Sequence, residues 1–192
     1  MLVLHDNTGK KISHEDAESH AHSLIQEWLF HQERLESLFE RCAEKYSKKT
    51  AIIHEKTEIT YKELEERANQ LARFLLKQGV APGQRVGILL HRDVDTYVSL
   101  IAILKAKAAY VPLDPGFPKE RIEFISKDAQ LSALITTSRL RHLTDGLSCN
   151  VICLDEKREE VESQDKGRPN LQELVSPTTD NLCYIIYTSG ST

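Results

Sequence analysis

Arg85-Val-Gly-Ile-Leu-Leu-His-Arg-Asp-Val-Asp-Thr-Tyr-Val-Ser-Leu-Ile-Ala-Ile-Leu-Lys-Ala-Lys-Ala-Ala-Tyr-Val-Pro-Leu113 decides the fold. Arg85–Leu90 is short, apolar and bounded by the turn signal Pro82-Gly83, which predicts a buried strand. Asp93 is placed to cap a helix over Val94–Ala106. Its apolar face would comprise Val98, Ile101, Ala102 and Leu104, or the stem of Lys105. Tyr110–Leu113 reads as the next strand, and Asp114-Pro115-Gly116 as a turn. Pro118 suits the first turn of a helix running to Asp128. Leu131–Thr136 and Val151–Leu154 read as two further strands. Strand and helix therefore alternate from Arg85 onward. That alternation predicts an α/β protein built on a parallel, doubly wound sheet with right-handed crossovers and flanking helices.

Upstream, the pattern changes. Residues 1–14 are polar, and residues 15–34 read as a helix with Leu24, Ile25, Trp28 and Leu29 on its apolar face. A second helix follows over Leu35–Tyr46, with Leu35, Leu38, Phe39 and Cys42 at helical spacing. Ala51–His54 and Glu58–Tyr61, flanking Glu55-Lys56-Thr57, predict a β-hairpin. Thr60 with Glu63 three residues on forms a capping-box signature. Leu64, Ala68, Leu71 and Leu75 continue it as an amphipathic helix, which Gly79 can end in a left-handed conformation. Two parts are thus expected: a lead-in and helix over 1–34, and an α/β domain over 35–192. Residues 155–181 are charged and polar, contain Pro169 and Pro177, and read as a surface linker.

Composition bounds the class. The chain has 192 residues, 40% hydrophobic and 28% charged, with a formal net charge of −4. That is the make-up of a globular protein with a sizeable core, and it lacks the basic excess of a nucleic-acid binder. No apolar stretch approaches a membrane span, and the N-terminus lacks a secretory signal pattern. Cys42, Cys149, Cys153 and Cys183 match no zinc spacing and read as reduced thiols, which points to a cytoplasmic setting. His14, His20, His22 and His31 cluster near the N-terminus without metal-ligand spacing and read as solvated helix residues.

The chain closes on Leu182-Cys-Tyr-Ile-Ile-Tyr-Thr-Ser-Gly-Ser-Thr192. Leu182–Tyr187 is short, β-branched and aromatic, and reads as a central strand buried on both faces. Thr188-Ser189-Gly190-Ser191-Thr192 then supplies hydroxyls, successive backbone N–H groups and one glycine that permits close approach. Those are the parts needed to hold a phosphate. A plain surface turn would not need five small or hydroxylated residues in a row. The second glycine and the lysine of a Walker A loop are absent.

Three segments together go further. They are Ile59–Leu75, Leu104–Arg121 (Leu-Lys-Ala-Lys-Ala-Ala-Tyr-Val-Pro-Leu-Asp-Pro-Gly-Phe-Pro-Lys-Glu-Arg) and Tyr184–Thr192 (Tyr-Ile-Ile-Tyr-Thr-Ser-Gly-Ser-Thr). In this order and spacing they resemble the first three core motifs of the amino-acid adenylation domains of non-ribosomal peptide synthetases. Those domains belong to the adenylate-forming, AMP-binding superfamily, with acyl-CoA synthetases and luciferases. The resemblance spans about residues 35–192, and Tyr110-Val-Pro-Leu-Asp-Pro115 favours the peptide-synthetase branch. It implies that the chain is the N-terminal portion of the large subdomain of an adenylate-forming enzyme. The first two segments read as scaffold, because burial and proline geometry suffice to explain them.

The third motif is where the resemblance implies chemistry. In the family it continues into glycine, proline and lysine and closes over the β- and γ-phosphates of ATP. Thr188, Ser189, Gly190, Ser191 and Thr192 would then contact ATP phosphates here. The implied reaction is attack of an amino-acid carboxylate on the α-phosphorus of ATP, assisted by Mg²⁺. The acyl group then passes to a phosphopantetheine thiol on a carrier domain. The family's remaining substrate, adenine and metal contacts lie downstream of these motifs, so no catalytic residue is assigned and the 192 residues alone are expected to be inactive. Truncation at the loop is expected to leave an exposed apolar edge. One departure is visible: the family commonly has glycine where Lys107 stands. If that position is a left-handed cap, lysine costs about 1 kcal/mol there. Three alternatives stand beside this reading. The chain could be a non-catalytic docking module whose helices over 15–46 bind a neighbour, one half of a split enzyme, or an acyl-CoA synthetase-like ligase.

Overall fold

The structure, a computed structural model, describes residues 34–169 and 182–188. The expected helix over 15–34 and the four N-terminal histidines lie outside the described residues, save Arg34. The chain divides into two units between Leu38 and Phe39. Of the first, the described residues are Arg34–Leu38, which open helix α1 (Leu35–Lys45).

The second unit begins inside α1 and contains every other element. A hairpin of β1 (Thr50–His54) and β2 (Thr57–Thr60) is antiparallel, as expected, and Glu55 takes a positive φ of 53° in its turn. The remaining elements are α2 (Tyr61–Lys77), β3 (Arg85–Leu89), α3 (Val94–Lys105), β4 (Ala109–Leu113), α4 (Lys119–Asp128), β5 (Ala133–Thr136), a 3-10 turn (Ser138–Leu143), β6 (Asn150–Cys153) and α5 (Arg158–Glu162). Four strands form one parallel sheet in the order β4-β3-β5-β6. The chain steps from β3 to β4 on one side, then crosses back to β5 on the other. That reversal places successive crossover helices on opposite faces of the sheet, the mark of double winding.

Each face has its own core. Val86, Ile88, Ala133 and Ile135 pack with Leu64, Leu71, Leu75 and Ile103 of α2 and α3. Leu89, Val111, Leu113 and Leu134 pack with Ile122 and Ile125 of α4. Alternate residues of one strand serve alternate faces, which explains why these strands read as continuous apolar runs. In α1 the expected stripe is shifted: Cys42 is exposed and Ala43 is buried beside the half-buried Phe39.

The local signals are realised at the helix ends. The Thr60 hydroxyl accepts from Glu63 N at 3.2 Å, and the Glu63 carboxylate accepts from Thr60 N at 2.8 Å. These bonds to the Thr60 backbone and hydroxyl hold the Glu63 carboxyl below its usual range. Asp93 caps α3 through Thr96 N, at 3.1 Å. Pro118 is the N-cap of α4 rather than its first helical residue, because its ψ of 148° is extended.

Three helices end with a residue at positive φ: Gly79 (89°), Lys107 (59°) and Gln130 (52°). At Lys107 the bonds Ala108 N to Ile103 O and Lys107 N to Leu104 O close a Schellman turn. Lysine therefore occupies the left-handed position where the resembled family has glycine. Lys107→Gly is expected to raise the unfolding free energy by about 1 kcal/mol. Urea titration of the two proteins checks this; a lowered midpoint would mean that the Lys107 side chain contributes more than its backbone strain costs.

Two expectations need correction. Residues 155–181 are not simply a linker. Within 155–169 lies α5, and the stretch after it is bound to α2 by Asn69 Nδ2 to Lys166 O (2.7 Å), Gln70 Nε2 to Gln164 O (3.0 Å) and Arg73 to Arg168 O (2.9 Å). The polar composition that suggested solvation instead offers carbonyls to buried amides. Nor is Leu182–Tyr187 a central strand buried on both faces. It lies parallel to the open side of β4, joined by Tyr110 N to Cys183 O (3.1 Å) and Ile185 N to Tyr110 O (3.0 Å). Cys183, Ile185 and Tyr187 are half-buried, while Leu182, Tyr184 and Ile186 are 54%, 50% and 58% exposed. Among the described residues β4 alone pairs with it.

Candidate functional site

Thr188 is the one residue of the sequence-predicted phosphate loop that the structure describes; Ser189, Gly190, Ser191 and Thr192 lie outside the described residues. Its position follows from the strand before it. Tyr184 is bridged to Tyr110, so the parallel run carries Thr188 to the end at which β4 stops, beyond Leu113. Carboxyl ends of parallel strands are where open α/β sheets bind ligands, because loops there can vary without disturbing the sheet. Thr188 is exposed at that end.

Helix α4 secures this end from one side. Arg121 Nη2 donates to the Thr188 carbonyl at 3.3 Å. The Tyr187 hydroxyl donates to Asp128 Oδ2. Phe124 meets the Tyr187 ring edge-on, with centroids 6.5 Å apart and an 84° interplanar angle. The Arg121 guanidinium sits 5.9 Å from the Phe124 ring centroid. Burial, then the bond to Asp128, pushes the Tyr187 hydroxyl up to about 12. The hydroxyl therefore keeps its proton and serves as a hydrogen-bond donor to Asp128. At the bridge to β4, the rings of Tyr110 and Tyr184 lie 5.6 Å apart, and burial raises the Tyr110 hydroxyl above its ordinary value.

The turn after β4 faces the same end. Asp114 Oδ1 accepts from Gly116 N at 2.8 Å, and Phe117 N donates to Asp114 O at 2.9 Å. These bonds fix the entry into α4 and so the place of Arg121. Reading the sequence alone treats Leu104–Arg121 as scaffold. Arg121 and Asp128 escape it, since their partners are 67 and 59 residues away along the chain and leave no local signature.

Among the described residues no group of three His, Cys, Asp or Glu side chains could hold a metal ion. None of the four cysteines is joined in a disulfide, and burial raises the thiols of Cys149 and Cys153 above their usual value, which disfavours the nucleophilic thiolate. Thr188 carries a hydroxyl and its carbonyl accepts from the Arg121 guanidinium, and the sequence after it contains the further hydroxyl residues Ser189, Ser191 and Thr192. Those donors fit the phosphate oxygens of a nucleotide.

Comparison with known proteins gives one consistent answer. Residues 39–192 match the family described as AMP-binding enzyme. Over 154 residues the chain is 42% identical to a linear gramicidin synthase polypeptide of Brevibacillus parabrevis, covering 80% of this chain and 3% of that protein. Over 179 residues it is 38% identical to a dimodular nonribosomal peptide synthase of Bacillus subtilis (strain 168), covering 88% of this chain and 8% of that protein. A crystal structure of the non-ribosomal peptide synthetase FmoA3, in an α-methyl-L-serine-AMP bound form, superposes with a TM-score of 0.70 at 27% identity. It covers 80% of this chain and 17% of that one. The chain thus spans a small part of the length of the curated relatives it matches.

Proposed function

The chain belongs to the AMP-binding enzyme family, and from that membership we propose that it is the N-terminal part of an amino-acid-adenylating domain of non-ribosomal peptide synthesis. In this reading residues 35–192 begin the adenylation domain, and residues 1–34 are a linker or docking segment. The observation that carries it is the placement of Thr188, exposed at the carboxyl end of a parallel segment and tied to Arg121. The similarity to peptide synthetases supports an amino acid as the acid activated.

ATP, when bound, supplies the phosphoanhydride that makes the carboxylate reactive. This chain's residues bind and orient. Thr188, Ser189, Gly190, Ser191 and Thr192 would contact its phosphates through hydroxyls and backbone N–H groups, which donate without bulk. Mg²⁺ would accompany the nucleotide and offset charge on its phosphates. A phosphopantetheinyl carrier domain would receive the acyl group. Among the described residues no helix is long and apolar enough to cross a membrane; a cytoplasmic setting completes the proposal.

The test is amino-acid-dependent ATP–pyrophosphate exchange by the polypeptide as its cell makes it. Thr188→Ala with Ser189→Ala should lower kcat/KM by about 10²-fold, the scale of losing two phosphate donors. The 192 residues by themselves should give no exchange above that double variant. Exchange undiminished by the double variant would contradict the assignment of the loop.

A further inference from the structure

Ser163-Gln-Asp-Lys-Gly-Arg168 leaves α5 and crosses α2 without one apolar side chain. Its main-chain donors turn back on α5 and on the stretch itself: Ser163 N to Glu159 O and Gln164 N to Val161 O, both 3.0 Å, and Gly167 N to Asp165 Oδ1 at 2.7 Å. Two adjacent rows of α2 side chains hold it, Glu65, Asn69 and Arg73 in one, Glu66 and Gln70 in the other. The amides and the guanidinium capture main-chain carbonyls. Gln70 Nε2 donates to Glu162 O and Gln164 O, Asn69 Nδ2 to Lys166 O, and Arg73 Nη2 to Arg168 O. The carboxylates take the charges. Lys166 lies 3.1 Å from Glu66, and Arg168 lies 2.7 Å both from Glu65 and from Glu44 of α1.

We propose that Ser163–Arg168 is a salt-sensitive strap, which opens as a unit from the end of α5 while the sheet and its helices stay folded. Partly exposed ion pairs weaken as salt screens them, and side-chain bonds to an irregular stretch can break without disturbing a core. Closure also leaves the buried Asn69 Oδ1 without a hydrogen-bond partner, a cost that opening to water removes. Opening parts Arg168 from Glu44 and Glu65, so the stretch no longer ties α1 to α2. It withdraws Lys166 from the wall of a cleft of about 590 Å³, whose floor is Leu71, Val98 and Leu154. It also uncovers Asn69, Gln70 and Arg73, donors that recognise main chain rather than particular side chains. The strap is independent of the nucleotide reading above.

Trypsin reports the opening. It can cut Lys166–Gly167, and the carbonyl it must take is the one that Asn69 holds. Arg168 precedes Pro169, which blocks cleavage there. The polypeptide as its cell makes it is digested under native conditions and cleavage at Lys166–Gly167 is followed by mass spectrometry. Each rate is divided by that of a free peptide of matching sequence. Wild-type protein should be cut at least about ten-fold more slowly than its peptide. Raising NaCl from about 0.05 to about 0.5 M should speed its cleavage about five-fold. Arg168→Ala should be cut about five-fold faster at low salt and respond less to added salt. Leu134→Ala, which weakens the core of the sheet, should leave the rate unchanged, because strap opening does not pass through global unfolding. A rate raised about 10²-fold by Leu134→Ala would mean that the bond is exposed by global unfolding, and overturns the strap. A rate indifferent to salt and to Arg168→Ala overturns it too, as does wild-type protein cut as fast as the free peptide.

Discussion

Lys105→Met is expected to lower the unfolding free energy by about 3 kcal/mol, the low end of what breaking a buried ion pair costs. The Lys105 side chain is only 1% exposed, and its charge is met by carboxylates from two other helices. It pairs with Glu40 of α1 and lies 3.6 Å from Glu65 of α2. Arg168 shares the same carboxylates, at 2.7 Å from Glu65 and 3.7 Å from Glu40, and adds Glu44 at 2.7 Å. Burial alone would lower the Arg168 proton affinity; the bonds to Glu65 and Glu44 more than offset it and raise it. Three helices and the stretch after α5 therefore meet in one charge network.

Methionine keeps the length of lysine but leaves two half-buried carboxylates facing each other. Arg168 remains to compensate them in part, which is why the low end is expected. Arg168→Ala, by contrast, removes a residue whose side chain is 38% exposed and should cost under about 1 kcal/mol. Urea denaturation of both variants checks the order. Equal, small losses would mean that the network is as weak as a surface ion pair.

The second large effect lies at the centre of the sheet. Leu134→Ala should cost about 3 kcal/mol, through lost burial and the cavity left among Leu89, Val111 and Ile125. Leu134 is fully buried on β5, and its Cδ1 occupies the space a side chain at Gly87 would need. A Cβ built on Gly87 would collide with that atom and sit 2.8 Å from Leu131 Cδ1. Gly87→Ala alone should therefore cost about 2 kcal/mol by overpacking. Together the two changes should cost at least about 1 kcal/mol less than their sum, since each makes room for or fills what the other disturbs. Strict additivity in thermal or urea unfolding would show that Gly87 is not held small by Leu134.

These sites mark where the sequence was legible. The alternation of strands and helices, the Thr60–Glu63 box, the Asp93 cap and the left-handed end at Gly79 are all local patterns, and the structure carries each of them. The Lys107 turn was legible too, because the resembled family has glycine there. What local pattern could not supply is which distant groups meet. Lys105 reads as an apolar stem on a helix face, whereas its partners Glu40 and Glu65 come from helices well upstream. Asn69, Gln70 and Arg73 carry no local signal on α2, yet their partners are carbonyls of 162–168. Leu182–Tyr187 has the composition of a central strand, but composition does not specify neighbours, and β4 alone pairs with it among the described residues. At the candidate site, residue types alone single out Thr188–Thr192, of which the structure describes Thr188, whereas Arg121 and Asp128, which hold Thr188 and the tyrosine before it, have no local signal.

ATP–pyrophosphate exchange by the polypeptide as its cell makes it, run against a panel of amino acids and a parallel panel of fatty acids, tests most directly whether this chain begins a domain that activates an amino acid with ATP. Exchange that depends on one or a few amino acids is the predicted result. Exchange supported by fatty acids alone, or by no acid in a protein that is folded, would contradict it.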